Sequence, residues 1–114
     1  MTVEKVAALV QGVVVCGRDK LDLDLQRGFA SDLMSDVLTL IEEDLLFITG
    51  LVSAQSIRTA VVSDIEAVLL VRNKKATTEM KELAEEEGLV LIESPFSMYR
   101  ASGILYANGL AAVY

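Results

Sequence analysis

Three short stretches of the chain carry the residues best suited to hold a charged ligand. They are Thr49-Gly50 followed by Ser53, the basic run Arg72-Asn73-Lys74-Lys75, and Ser94 with Ser97 and Arg100. Each follows an apolar run and precedes what reads as a helix, so each is a strand-to-helix turn. The first N–H groups of a helix have no partner within it, and the helix dipole places partial positive charge at the same end. Thr and Ser hydroxyls, with Arg and Lys, add donors suited to a phosphate or carboxylate. The chemistry this points to is anion or nucleotide-phosphate binding, with Thr49, Gly50, Ser53, Arg72, Asn73, Lys74, Ser94 and Ser97 as candidates. A single glycine is far from a P-loop or a dinucleotide fingerprint. Each residue also has an ordinary use: Gly50 in a tight turn of positive φ, Ser53 and Ser94 as helix caps, and the basic run as a solvated loop.

Other chemistries find less support. The chain has no histidine and one cysteine, Cys16. Ser–His and Cys–His catalysis, ordinary zinc sites and self-contained iron–sulfur clusters therefore lack their residues. Asp32 and Asp36 stand four apart, a spacing that could hold a hard cation on one helix face, although an Asp at a helix start is more often a cap. No metal and no cofactor are expected. Cys16 reads as a small core residue in a reducing compartment, and Glu85-Glu86-Glu87 as a solvated helix end.

Seventeen acidic against ten basic residues give a net charge of −7, which repels phosphate backbones and anionic lipid. The three Tyr and three Phe do not alternate with bases as a base-stacking surface would. No apolar run approaches the roughly 20 residues of a membrane span, and no basic segment precedes an apolar one as in a signal peptide. The expectation is one cytoplasmic domain with no nucleic-acid and no membrane partner. Its hydrophobic fraction of 53% exceeds the ordinary level of about 45–50%, which hints at apolar surface covered by a partner.

The elements follow from hydrophobic spacing. Thr2 caps a helix with Val3, Val6, Ala7 and Val10 on one face, ended near Gly12. Val13–Cys16 is a short buried strand, and the alternating Leu21-Asp22-Leu23-Asp24-Leu25 reads as a second strand paired antiparallel or at an edge. Ser31 or Asp32 caps a helix bearing Leu33, Val37, Leu38 and Ile41. Then one idea repeats: strand Leu45–Thr49 and a helix capped by Ser53; strand Ala67–Val71 and a helix over 77–87; strand Leu89–Ile92, with Ser94 as cap and Pro95 opening a helix to Asn108. Strands apolar on both faces, each followed by a helix, predict a mostly parallel sheet in a three-layer αβα sandwich. In such a sheet the turns leaving the strands' carboxyl ends share one edge, so the three candidate stretches meet there.

Phe29-Ala30-Ser31-Asp32-Leu33-Met34-Ser35-Asp36-Val37-Leu38, Leu46 to Leu51 and Ile57-Arg58-Thr59-Ala60 closely resemble the pattern of the DRTGG domain family, and the later segments resemble its small stand-alone members. Asp32, Thr49 and Gly50 match the naming motif, while Leu33 stands at its Arg and Leu51 at its final Gly. The resemblance implies a single DRTGG-like domain over residues 1–114, with a fold like the amino-terminal domain of HPr kinase/phosphorylase. It implies a regulatory or dimer-forming module without catalysis, like the DRTGG modules that accompany CBS domains in regulated pyrophosphatases. The alternative class is an enzyme or accessory subunit acting on a phosphorylated metabolite. The expected partners are a small anionic ligand, a regulatory protein and a second copy of the chain. The apolar segment Ile104–Tyr114 would serve either a two-fold interface, with Ala101 and Gly103 admitting a neighbouring helix, or an edge strand of its own sheet.

Overall fold

The computed structural model describes all 114 residues. Every residue of β3 (Leu45–Thr49), β4 (Ala67–Leu70) and β5 (Val90–Glu93) is buried. Because successive side chains of a strand point to opposite faces, such strands need cover on both sides. With β1 (Val13–Cys16), β2 (Arg27–Ala30) and β6 (Ala111–Ala112) they form one sheet in the order β1-β5-β4-β3-β2-β6. β1 runs antiparallel to β5 and every other neighbouring pair is parallel. This is the three-layer α/β/α sandwich expected from the sequence; its antiparallel pair is β1 with β5, not a pairing of Leu21–Leu25.

Two cores divide the alternating side chains. On one face Leu45, Phe47, Val68, Leu70 and Leu91 pack against α2 (Met34–Val37), α3 (Ala54–Val62) and α4 (Thr78–Glu87) through Val37, Ile57, Ala60, Met80 and Ala84. On the other, Leu46, Ile48, Ala67, Leu69 and Ile92 pack against α1 (Val3–Leu9) and α5 (Met98–Ala107) through Val3, Val6, Ala101 and Leu105. From β2 to β5 the chain advances one strand at a time and keeps α2, α3 and α4 on one face. From β5 it returns across the sheet to β6, with α5 on the opposite face. A right-handed crossover demands this change of face when the direction of travel reverses. The loops leaving β4 and β5 therefore part to opposite faces, the arrangement that opens a crevice at the strands' carboxyl ends in open α/β sheets.

Several elements differ from the sequence reading. Leu21–Leu25 is not a strand of the sheet. A 3₁₀ turn at Arg18–Lys20 precedes it, and its carbonyls serve the chain start: Val3 N donates to Leu23 O and Glu4 N to Leu21 O, both at 3.0 Å. The alternating leucines pack onto the α1 side of the core, so alternation here marks an extended cover strip. The strand at Arg27–Ala30, hidden by Gly28 and a half-exposed pattern, is the one the sequence reading lacked. α2 spans only Met34–Val37 and begins after Asp32, so Asp32 does not cap it, Asp32 and Asp36 share no helix face, and Leu33, Leu38 and Ile41 are exposed. α5 starts at Met98 behind Ser97, with Ser94 and Pro95 outside it.

The carboxyl-terminal segment is the edge strand β6, paired parallel to β2, with Ala111 N donating to Gln26 O at 3.2 Å. Leu110 is buried against the glycine of β2: a Cβ on Gly28 would lie 2.9 Å from Leu110 Cδ2. Ala101 is wholly buried in its own core and offers nothing to a neighbouring helix, whereas Gly103 is exposed. Leu110→Ala is therefore expected to cost about 2–5 kcal/mol in equilibrium urea unfolding, and a chain cut after Gly109 to lose stability before any change of association. Unchanged unfolding of both variants would show that β6 does not support the sheet.

Candidate functional site

Asp32 follows β2, Thr49 ends β3 and Arg72 follows β4, so the parallel register brings them side by side at the carboxyl edge. The Thr49 hydroxyl donates to Asp32 Oδ1 at 2.9 Å and accepts from Leu51 N at 3.1 Å. Gly50 N donates to the same Oδ1 at 2.7 Å. Asp32 Oδ2 lies 3.8 Å from Arg72 Nη1, both side chains being about half exposed. One carboxylate thus ties the ends of three neighbouring strands. Hydrogen bonds to a charged acceptor are shorter and stronger than neutral ones, and Thr49 is fully buried, so its hydroxyl needs this partner.

Gly50 does not have positive φ, contrary to the tight-turn expectation; Gly17, Gly88 and Gly109 do. Its requirement is space. A Cβ there would lie 3.0 Å from Arg72 Cδ and 3.2 Å from Arg72 Nη1, so the glycine lets the arginine lie over the turn.

Arg72 and Asn73 are consecutive non-glycine residues in the left-handed region, with φ of 64° and 57°. Each such residue costs roughly 1–2 kcal/mol and must be held by its surroundings. Here Arg72 N donates to Phe96 O at 2.6 Å and Asn73 N to Ser94 O at 3.1 Å, which stitches the β4 loop to the β5 loop across the reversal point. Arg72, Asn73, Lys74 and Lys75 are exposed. Lys75 Nζ lies 3.9 Å from Glu93 Oε1, and no ion pair or hydrogen bond engages the Lys74 ammonium.

Of the remaining candidates Ser94 turns inward, while Ser97 and Arg100 are exposed. Ser94 is buried; its hydroxyl donates to Val10 O at 2.7 Å and accepts from Phe96 N at 3.1 Å, fixing the exit of β5 to the end of α1. Ser97, not Ser94, caps α5 by accepting from Arg100 N at 3.1 Å. Arg100 stacks on the Phe96 ring at 3.8 Å. Ser53 stands at the cap position of α3 but makes no capping bond, and its hydroxyl is buried without a partner. The structure thus brings Thr49, Gly50 and Arg72 together around Asp32 and joins Asn73 to Ser94 through the backbone. Lys74 and Ser97 make no contact with that cluster through hydrogen bonds or ion pairs. None of these eight residues lines a cavity, so the edge is an open surface.

Glu93 escaped the sequence reading. It is a buried carboxylate at the end of an apolar strand, and its Oε2 accepts from Ala76 N at 2.7 Å while Lys75 stands beside Oε1. The signal was the lone acid after Val90-Leu91-Ile92. No three acidic or thiol side chains gather at metal-binding distance, and no helix is long and apolar enough to cross a membrane.

Cys16 is buried, and desolvation together with the nearby Glu85 carboxylate pushes its thiol up to about 11. Between the unfolded thiol's value, about 8.5, and that of the folded one, the unfolded chain binds fewer protons, so stability falls as pH rises through this window and is intact below it. The thiol is expected to resist an aromatic disulfide reagent at pH 8 until the chain unfolds; prompt reaction of the native protein would contradict its burial. At the strand ends, Asp32→Ala should cost about 1–3 kcal/mol, because it leaves the Thr49 hydroxyl unpaired. Gly50→Ala should cost less than Gly88→Ala, since only a flexible arginine must move at Gly50 while Gly88 has φ of 67°. Urea unfolding of the three variants measures both, and a larger loss at Gly50 would refute the space argument.

No family model and no curated protein matches the chain. Its fold is similar to that of a solved structure, the crystal structure of the CBS and DRTGG domains of the regulatory region of Clostridium perfringens pyrophosphatase, complexed with the activator diadenosine tetraphosphate. The TM-score is 0.76 at 12% identity, over 91% of this chain and 45% of that one, so this chain spans less than half the length of its neighbour. The shared property is the fold.

Proposed function

We propose that the chain is a DRTGG-type domain, residues 1–114, acting in the cytoplasm as a non-catalytic regulatory module that senses a small anionic ligand, of the nucleotide class, at the carboxyl edge of its sheet. The observation that carries this reading is the corner at Arg72 and Asn73. The chain holds two strained residues in place by hydrogen bonds to the β5 loop, and the corner presents Arg72, Asn73 and Lys74 beside the Gly50 turn and the start of α3. In a protein of net charge −7, this is where bases outnumber acids. Arg72, Asn73 and Lys74 meet the ligand; Thr49, Gly50, Ser53, Ser94 and Ser97 hold the turns that carry them. The regulatory setting of the structural neighbour supports the module class.

A second copy pairs with this chain along the outer edge of β6, where Ala111 and Ala112 are exposed and the backbone on that side has no partner strand. A protein that reads the ligand state docks on the resulting dimer.

Thermal unfolding with inorganic phosphate, pyrophosphate, AMP and ATP at millimolar concentration tests the sensing claim. A ligand at about 100 times its Kd adds roughly 2.7 kcal/mol, and Arg72→Ala with Lys74→Ala should abolish the shift. The probe should be recovered unchanged. Its consumption would favour the alternative, an enzyme or accessory subunit acting on a phosphorylated metabolite, and no shift with any probe would end the sensing claim. Light scattering at micromolar concentration is expected to give twice the chain mass; a monomer at all concentrations would remove the dimer.

A further inference from the structure

Between α5 and the edge formed by β2 and β6 runs an open groove of about 580 Å³, within the roughly 300–1,000 Å³ of small-molecule sites. Its walls are apolar, Ile48, Ile104, Leu105 and Leu110 among them, and its floor is made of glycine and alanine on the two strands. Tyr99, Gly103 and Tyr106 stand at i, i+4 and i+7, which places them on one helix face. Both tyrosines are exposed, Tyr99 at 91% and Tyr106 at 69%. A Cβ on Gly103 would meet nothing within 4 Å, and its φ is not positive, so neither crowding nor backbone conformation calls for a glycine that weakens the helix. What the glycine leaves is a notch between two aromatic rings.

One charged side chain marks the same groove. Arg100 is the one charged residue of the lining. Its guanidinium lies over the Phe96 ring and pairs with no carboxylate, so its N–H edge remains available. With no acid in the lining, an anion escapes the repulsion that the chain's net charge imposes elsewhere.

We propose that this groove binds a small aromatic anion, a flat ring system carrying one negatively charged group. The ring fills the notch over Gly103 and stacks with Tyr99 and Tyr106, and the charge pairs with Arg100. The site is separate from the strand-end corner and does not depend on the function proposed for it.

The test uses the full chain and three probes: 8-anilinonaphthalene-1-sulfonate as ring plus charge, N-phenyl-1-naphthylamine as ring alone, and sulfate as charge alone. The sulfonate should bind saturably, one per chain, with amide shifts confined to α5, β2 and β6, and sulfate should not compete at equal concentration. Gly103→Leu fills the notch at an exposed helical position where leucine is a better helix former than glycine. It should weaken the sulfonate about tenfold or more while thermal stability holds or rises. Arg100→Gln should weaken the sulfonate and leave the neutral naphthylamine unchanged. Binding that survives Gly103→Leu, shifts mapped elsewhere, or equal effects of Arg100→Gln on both naphthalenes would overturn the proposal. So would Gly103→Leu changing the scattering mass but not the binding, which would make the groove an interface between copies.

Discussion

Because Leu45–Thr49, Ala67–Leu70 and Val90–Glu93 are buried on both faces, the helices must sit where they cover one of those faces. That constraint sets the helix layers and, through the right-handedness of crossovers, assigns three helices to one side and sends α5 to the other. It also decides where chemistry can lie. Side chains in the strands are committed to the cores, so ligand-facing groups must come from the turns at the strand ends and from the helix margins.

At those ends the chain supplies its own anion. Asp32 takes the Thr49 hydroxyl and the Gly50 N–H and stands near Arg72, three donors that a bound phosphate would also seek. Its bond to the buried Thr49 makes the carboxylate part of the fold, whereas its distance of 3.8 Å from Arg72 leaves the guanidinium only loosely held. The arginine can exchange a carboxylate for a ligand at little cost, since an ion pair between half-exposed groups contributes modestly. The structural and the ligand-facing duties of the motif are thereby divided: Asp32, Thr49 and Gly50 fix the edge, and Arg72 with its neighbours faces outward.

What could be read from the sequence followed the strength of the local pattern. The apolar runs at Leu45–Thr49 and Ala67–Val71 admit one interpretation once helices follow them, and both appear nearly to the residue. The helices expected over 77–87 and up to Asn108 end where glycines of positive φ follow, 67° at Gly88 and 105° at Gly109. Leu21–Leu25 misled because alternation reports one wet face and not a ladder partner, and here the partner is the chain start. β2 escaped because its neighbours are supplied by distant segments, Leu45–Ile48 and Ala111–Ala112, which no local window contains. At the site, residue type located the turns, but hydroxyl orientation is a tertiary property. Ser94 looks like a cap in sequence, and only the approach of Val10 O turns it inward. The groove beside α5 left one trace in sequence, Gly103 between two tyrosines; the gap itself arises from how the helix sits on the sheet.

The Gly28–Leu110 contact has a consequence for how the molecule opens. β2 draws its inner ladder from β3 and its outer ladder from a strand of two residues, whose one buried side-chain neighbour is Leu110 over a glycine, helped by Val113 and by Tyr114 against Phe29. These contacts are few beside those that hold β3, β4 and β5. Local opening should therefore begin at this margin, with amide protection lowest at β6, intermediate in β2 and highest in the central strands. Since the same margin borders the groove, any occupant of the groove that touches Leu110 also slows the opening of the sheet.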